Sequence, residues 1–313
     1  MAFQGTPEEA LYTNPVFGKI RKPFVKEATA SGGLNFTLDT VEGQPVTASQ
    51  SAQVYFLPQS TTRFGYREKI YLIAKTLGFD TALIKHRLVD KDAVFIDSKQ
   101  KVTIDITNFN FSYQYNFDSD PKIFENTIVP SATEIQNKAI DFLKTVGRYP
   151  DELSKGKVNI VYLAYDSNER TFSPLERPQE ANAIEIDFYR PDVGSFPIIP
   201  PNYFNSQNYA IMAFYNGGAK VLRAQIKFFE KSEEQIGVYP LKTGDAVWTE
   251  LKEGKGMVVS DIKNQKDITI KKMFLGYLDP SVYQDYLQPV YVFLGANNFV
   301  AYVPAVSNDF LTE

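Results

Sequence analysis

Hydrophobic and polar positions alternate with two periods along this chain, and the two periods predict its elements. Period-two alternation marks strands. Asn35–Val41 places Leu34, Phe36 and Leu38 on one face and Asn35, Thr37 and Asp39 on the other, and residues 52–57 form a second extended run. Residues 93–97 and 102–107 follow the same rule, with Val102, Ile104 and Ile106 opposite Thr103, Asp105 and Thr107. The sharpest alternation sets Phe109, Phe111, Tyr113, Tyr115 and Phe117 against Asn110, Ser112, Gln114 and Asn116. Further strands are predicted at 158–165, at 183–189, and in a hairpin of 209–215 and 220–229 turned at Asn216-Gly217-Gly218, where Asn-Gly supplies the positive φ a tight turn needs. Residues 166–180 and the prolines at 197, 200 and 201 read as loops.

A 3.6-residue period marks three helices. The first spans about Arg63 to Leu77, with Ile70, Ile73, Ala74 and Leu77 as its stripe, Thr61 or Thr62 as its cap and Gly78 as its stop. The second opens on the capping box Ser131-Ala-Thr-Glu134, carries Ile135, Ala139, Phe142, Leu143 and Val146, and stops at Gly147. The third is short, from Gly244 to Glu253, capped by Thr243 and stopped by Gly254. After it come a long strand through Leu275-Gly276-Tyr277, a crossover broken at Pro280 and Pro289, and a closing hairpin through residues 299–306.

Strands outnumber helices and most neighbours are hairpin-linked, which predicts an α+β fold of mainly antiparallel sheets with three short helices packed on them. A helix-then-strands order recurs: Leu163-Ala164-Tyr165-Asp166 follows the second helix as Leu275-Gly276-Tyr277 with Asp279 follows the third. Duplication and chance likeness both account for that pair. The resulting division is an extended arm with edge strands at 1–53, then α+β units at 54–126, 127–238 and 239–313.

Composition narrows the function classes. The 313 residues contain no cysteine and a single histidine, His86, which removes thiol chemistry, disulfides and cysteine-ligated metals, and leaves His86 alone for any Ser-His-Asp arrangement. Net charge is −4 with the signs interspersed, so the basic surface that phosphate backbones require is missing and nucleic acid is not an expected partner. No phosphate loop, nucleophile elbow or zincin helix is present, and Asp118-Ser119-Asp120 is too short for a calcium loop, so neither cofactor nor metal is expected. Glu185 and Asp187, two apart on a strand, could form an acid–base pair, but the solvated face of a half-buried strand is the plainer reading. The alternating rings, Phe111, Tyr113 and Tyr115 among them, read first as a sheet face buried under the first helix, with a stacking platform for carbohydrate or peptide as the alternative.

The C-terminal stretch resembles the YycH/YycI family of bacterial membrane-anchored regulators of a sensor histidine kinase. The residues carrying the likeness are Tyr239-Pro-Leu-Lys-Thr243, Asp245-Ala246, Leu275-Gly276-Tyr277, Leu287-Gln-Pro-Val-Tyr-Val292 and Phe299-Val-Ala-Tyr-Val303. The resemblance covers about 65 residues and implies a domain outside the cytoplasm, tethered to a membrane, that works through contacts with a protein or cell-envelope component rather than through chemistry. The opening Met-Ala-Phe-Gln-Gly-Thr reads as a trimmed start, which makes a preceding anchor an expectation. The contact residues expected on this reading are the exposed ones of the crossover: Tyr283, Tyr286 and Gln288.

Overall fold

The computed structural model describes residues 12–62, 64–117, 120–263 and 265–313. The fold is α+β, with large antiparallel sheets and, among the described residues, four α-helices: α1 (Tyr66–Thr76), α2 (Ala132–Val146), α3 (Asp151–Ser154) and α4 (Gly244–Lys252). The chain divides into two compact units. Residues 1–59, 192–204 and 229–313 form one, and residues 60–191 and 205–228 form the other. The boundaries expected at 126 and 238 do not delimit them. Strand Phe111–Tyr115 pairs with Gly218–Ile226 across the first boundary, and Ser51–Phe56 pairs with Ile236–Pro240 across the second. Pairing partners far apart in sequence leave no local trace in helix-then-strands order.

The unit containing residues 60–191 is built on a nine-stranded sheet. Residues directly opposed on neighbouring strands share a face, and the register sorts the sheet into two. Val102, Tyr113, Ala224, Ala210 and Ile186 form one cross-strand row. Ile70 and Ile73 of α1 and Ile135 and Leu143 of α2 join this face in a single apolar core. The opposite face carries polar rows. Where a polar loop was expected at 166–180, Thr171–Pro174 adds an edge strand to Leu163–Asp166.

Helix ends follow local chemistry. The Ser131 side chain accepts from the Glu134 N–H, and Gly147 takes φ 72°, so α2 lies where its capping box puts it. Thr243 likewise accepts from the Ala246 N–H at the start of α4. The first helix is shorter than expected. It begins after Gly65, whose left-handed φ of 85° makes it the cap, and neither Thr61 nor Thr62 serves. Its expected start at Arg63 lies outside the described residues, as do Asp118 and Ser119.

The other unit centres on a six-stranded sheet around the long strand Asp267–Leu278, flanked by Pro289–Gly295 and, on the strand's other edge, by Ile198–Ile199 and Asn35–Leu38. Both faces of the central strands are covered. Tyr291, Phe293 and Val303 pack with Val247 and Leu251 of α4, while Val290, Val292 and Tyr302 pack with Val25 and Ile199. Burial on both faces is why these strands read as continuous apolar runs rather than alternating ones. Smaller pairings complete the unit: Ser51–Phe56 runs between Ile236–Pro240 and Tyr286–Leu287, and Ile20–Arg21 pairs with Leu311–Thr312.

Candidate functional site

The aromatic strand face is closed. Phe111, Tyr113 and Tyr115 are 3%, 3% and 6% exposed and belong to the same core as Ile70 and Leu77, so the stacking-platform reading is overturned. Rings on a strand face pack wherever helices cover that face. Their hydroxyls are used inside the protein: Tyr113 donates to Gln100 Oε1 at 2.8 Å and Tyr115 to Asp120 at 3.3 Å. Burial pushes the Tyr113 phenol well above its ordinary range.

Glu185 and Asp187 also depart from expectation. They project from the polar face of the nine-stranded sheet, but that face is not solvated there: Asp187 is fully buried and Glu185 half-buried. One row runs Asn159–Asp187–Tyr209–Gln225, and the next Val161–Glu185–Ile211–Arg223. Residues 205–208 lie against this face. The Gln225 side chain donates to Gln207 O, Lys227 N donates to Asn208 Oδ1, and the Ser206 hydroxyl donates to Phe188 O. Desolvation, followed by the neighbouring Glu185, raises the Asp187 pKa to about 7, opposed by contacts to Asn159 and the Ser206 backbone. Desolvation raises Glu185 as well, against Asn205 and the positive charge of Arg223. A proton is thereby held on the pair.

The crossover residues do converge. Tyr283, Tyr286 and Gln288 line one groove of about 320 Å³, faced by Arg21, Lys22 and Phe24 of the N-terminal arm. Two glutamines hold its walls together. Gln284 Oε1 accepts from Phe24 N and its Nε2 donates to Phe24 O, both at 2.8 Å, in the manner of a strand partner. Gln288 Nε2 donates to Arg21 O at 2.9 Å. Contrary to expectation, Gln288 is not exposed but 2% exposed, and its Oε1 has no hydrogen-bond partner. It lies where the chain turns inward to begin strand Pro289–Gly295, a position that residue type alone does not reveal.

Tyr283 and Tyr286 are half-buried rather than exposed. The Tyr283 hydroxyl donates to Leu57 O at 2.9 Å, and desolvation together with the Asp285 carboxylate raises its pKa to about 12. Tyr286 rests against Phe17, ring centroids 5.0 Å apart. Phe24 and Val282 remain 57% and 49% exposed at the groove. Sequence reading missed the Arg21–Phe24 wall, because the arm has no periodicity and its place is set by pairing with residues 311–312.

No family model matches the sequence, and no curated protein matches it. Among solved structures, the chain is similar to an uncharacterized protein from Eubacterium rectale ATCC 33656. The two share 12% identity over 87% of this chain and 89% of that chain, with a TM-score of 0.39.

A second depression, about 840 Å³ and more open, includes Lys22, Lys242, Glu250 and Asn308. Its buried cation is already matched: Lys242 Nζ stands 2.7 Å from Glu250 Oε2 and 3.3 Å from Asn308 Oδ1. The 320 Å³ groove differs in carrying exposed large apolar side chains, Phe24 and Val282.

Proposed function

We propose that this protein is a non-enzymatic binding protein acting by protein–protein contacts, and that the groove between residues 21–24 and 282–288 receives a short segment of its partner. Two exposed apolar side chains carry this reading: Phe24 and Val282 stand 57% and 49% exposed at the groove. A short polypeptide segment supplies the apolar side chain that would cover them. Tyr283 keeps its proton at neutral pH, so the groove holds hydrogen-bonding groups rather than a reactive one.

The test is a random-peptide library panned on the immobilised protein. Enrichment is expected with the natural chain, falling at least tenfold with Phe24→Asp combined with Val282→Asp, both at exposed positions where the fold tolerates charge. Equal enrichment on the double variant would remove the groove from consideration.

The likeness of residues 239–303 to YycH/YycI supports a membrane-tethered regulatory role outside the cytoplasm. No helix among the described residues is long and apolar enough to cross a membrane. A cysteine-free chain makes the compartment directly measurable. Val41→Cys, at a fully exposed position, is expected to react with a membrane-impermeant maleimide in intact cells. Labelling that requires lysis would place the protein inside.

A further inference from the structure

We infer that Lys242 and Asn308 join through an amide bond that the protein makes by itself, with Glu250 moving the protons. These residues line the second depression, not the contact groove. Their reacting groups already touch. Lys242 Nζ is 2.7 Å from Glu250 Oε2 and 3.3 Å from Asn308 Oδ1, and Asn308 Nδ2 donates to Glu250 Oε1 at 2.8 Å. One carboxylate thus bridges an amine and a carboxamide nitrogen, and the amine lies against the carbonyl of that same carboxamide. Groups held at such separations react without an encounter step. Backbone pairing keeps them in place. Lys242 N donates to Ala305 O at 2.8 Å, Ser307 N donates to Pro240 O at 2.9 Å, and Leu241 bridges Val306. Glu250 is delivered by α4, whose start is fixed by the Thr243 cap.

The surroundings separate this trio from an ordinary ion pair. The Lys242 and Glu250 side chains are 7% and 15% exposed, against 64% and 51% for the surface pair Lys255–Glu253. Desolvation lowers the Lys242 pKa; Glu250 opposes the shift, while the charges of Lys22 and Lys255 add to it. A desolvated lysine beside a carboxylate that can take its proton is a nucleophile. The step balances within the three side chains. The Lys242 ammonium gives a proton to Glu250, and the freed Nζ lone pair attacks Asn308 Cγ. The Cγ–Nζ bond forms, the Cγ–Nδ2 bond breaks, and Glu250 passes the protons to the departing nitrogen. Nζ loses two protons, the leaving nitrogen gains two and departs as ammonium, and the carboxylate is restored. The link ties together positions 66 apart in sequence, with α4 and the strand Asp267–Leu278 between them.

Intact-mass spectrometry and tryptic mapping of the purified chain test the bond. The natural protein is expected to weigh about 17 Da less than its sequence, the mass of one ammonia. Trypsin is expected to spare Lys242 and to release it joined to the C-terminal peptide that carries Asn308. Glu250→Gln keeps the side chain's size but cannot carry the proton, and Asn308→Ala, at an exposed residue, removes the acyl group. Each variant is expected to show its full sequence mass and normal cleavage after Lys242. If Glu250→Gln fails to fold, Asn308→Ala carries the comparison. A natural chain of full mass after prolonged incubation at mildly alkaline pH would overturn the inference. So would a 17 Da loss confined to the peptide of Asn308, which marks cyclisation onto its own backbone. Linkage that persists in Glu250→Gln would overturn the part given to Glu250.

Discussion

Gly156→Ala is expected to lower the stability of the unit built on the nine-stranded sheet by about 3 kcal/mol or more, enough to prevent its accumulation as folded protein. Gly156 joins α3 to strand Val158–Asp166. A Cβ there would lie 1.6 Å from the Tyr189 carbonyl oxygen and 2.8 Å from its carbon. Those are backbone atoms, so no rotamer change relieves the overlap. They cannot withdraw without cost, because Tyr189 N donates to Lys157 O at 2.9 Å and Phe188 is in register with Val158. Relief would require breaking the end of a ladder whose next pair, Asp187 with Asn159, sits at the buried polar row. Gly32→Ala is the matched control, since its added Cβ meets nothing within 4 Å. Urea unfolding of both variants reads the difference. A Gly156→Ala variant within about 1 kcal/mol of the parent would show that this junction yields more than the packing suggests.

The second large effect concerns pH. Asp187 titrates near 3.8 in an unfolded chain and is raised to about 7 in the folded one, chiefly by desolvation and then by Glu185. The folded state therefore binds this proton more tightly than the unfolded state. Below pH 3.8 both states carry it and its stabilising contribution is complete. As pH rises from about 4 to 7, the unfolded chain releases the proton while the folded chain retains it, and stability is lost progressively until the folded group also ionises. Glu185 is raised too and adds in the same direction. Asp187→Asn removes the titration at nearly constant volume and keeps a side chain able to meet Asn159. The variant is expected to gain on the order of 2 to 4 kcal/mol on the parent between pH 4 and pH 8. Comparing urea midpoints of parent and variant at both ends of that range reads the titration of the Glu185–Asp187 pair against the rest of the protein. Parallel pH profiles would mean that Asp187 ionises freely in the folded protein.

These two positions show how differently parts of the molecule could be read in advance. The capping box at Ser131 and the glycine stop at Gly147 are local devices, complete within a few residues of sequence, and α2 lies between them. The hairpin at Asn216-Gly217 is equally local, with Gly217 at φ 94°. Gly156 gave no such sign. Its necessity comes from Tyr189, which is distant in sequence and is brought against it by sheet register. Glu185 and Asp187 alternate like surface residues, and only the segment 205–208 lying against them turns an ordinary polar face into a buried pair. Half of the candidate groove was legible, because Tyr283, Tyr286 and Gln288 fall within one short crossover. The other half comes from Arg21, Lys22 and Phe24, some 260 residues away, joined to it by two glutamine side chains.

The sequence by itself determined the fold class, the strand-rich character, two helix caps and the exclusion of thiol chemistry, since periodicity, capping and composition act over a turn or a strand. The tertiary structure alone decided which strands pair, how the chain divides into two units, which polar residues are buried and which wall completes the groove. The physical reason is that strand pairing and burial depend on the partner that arrives, and in this fold the partners come from opposite ends of the chain.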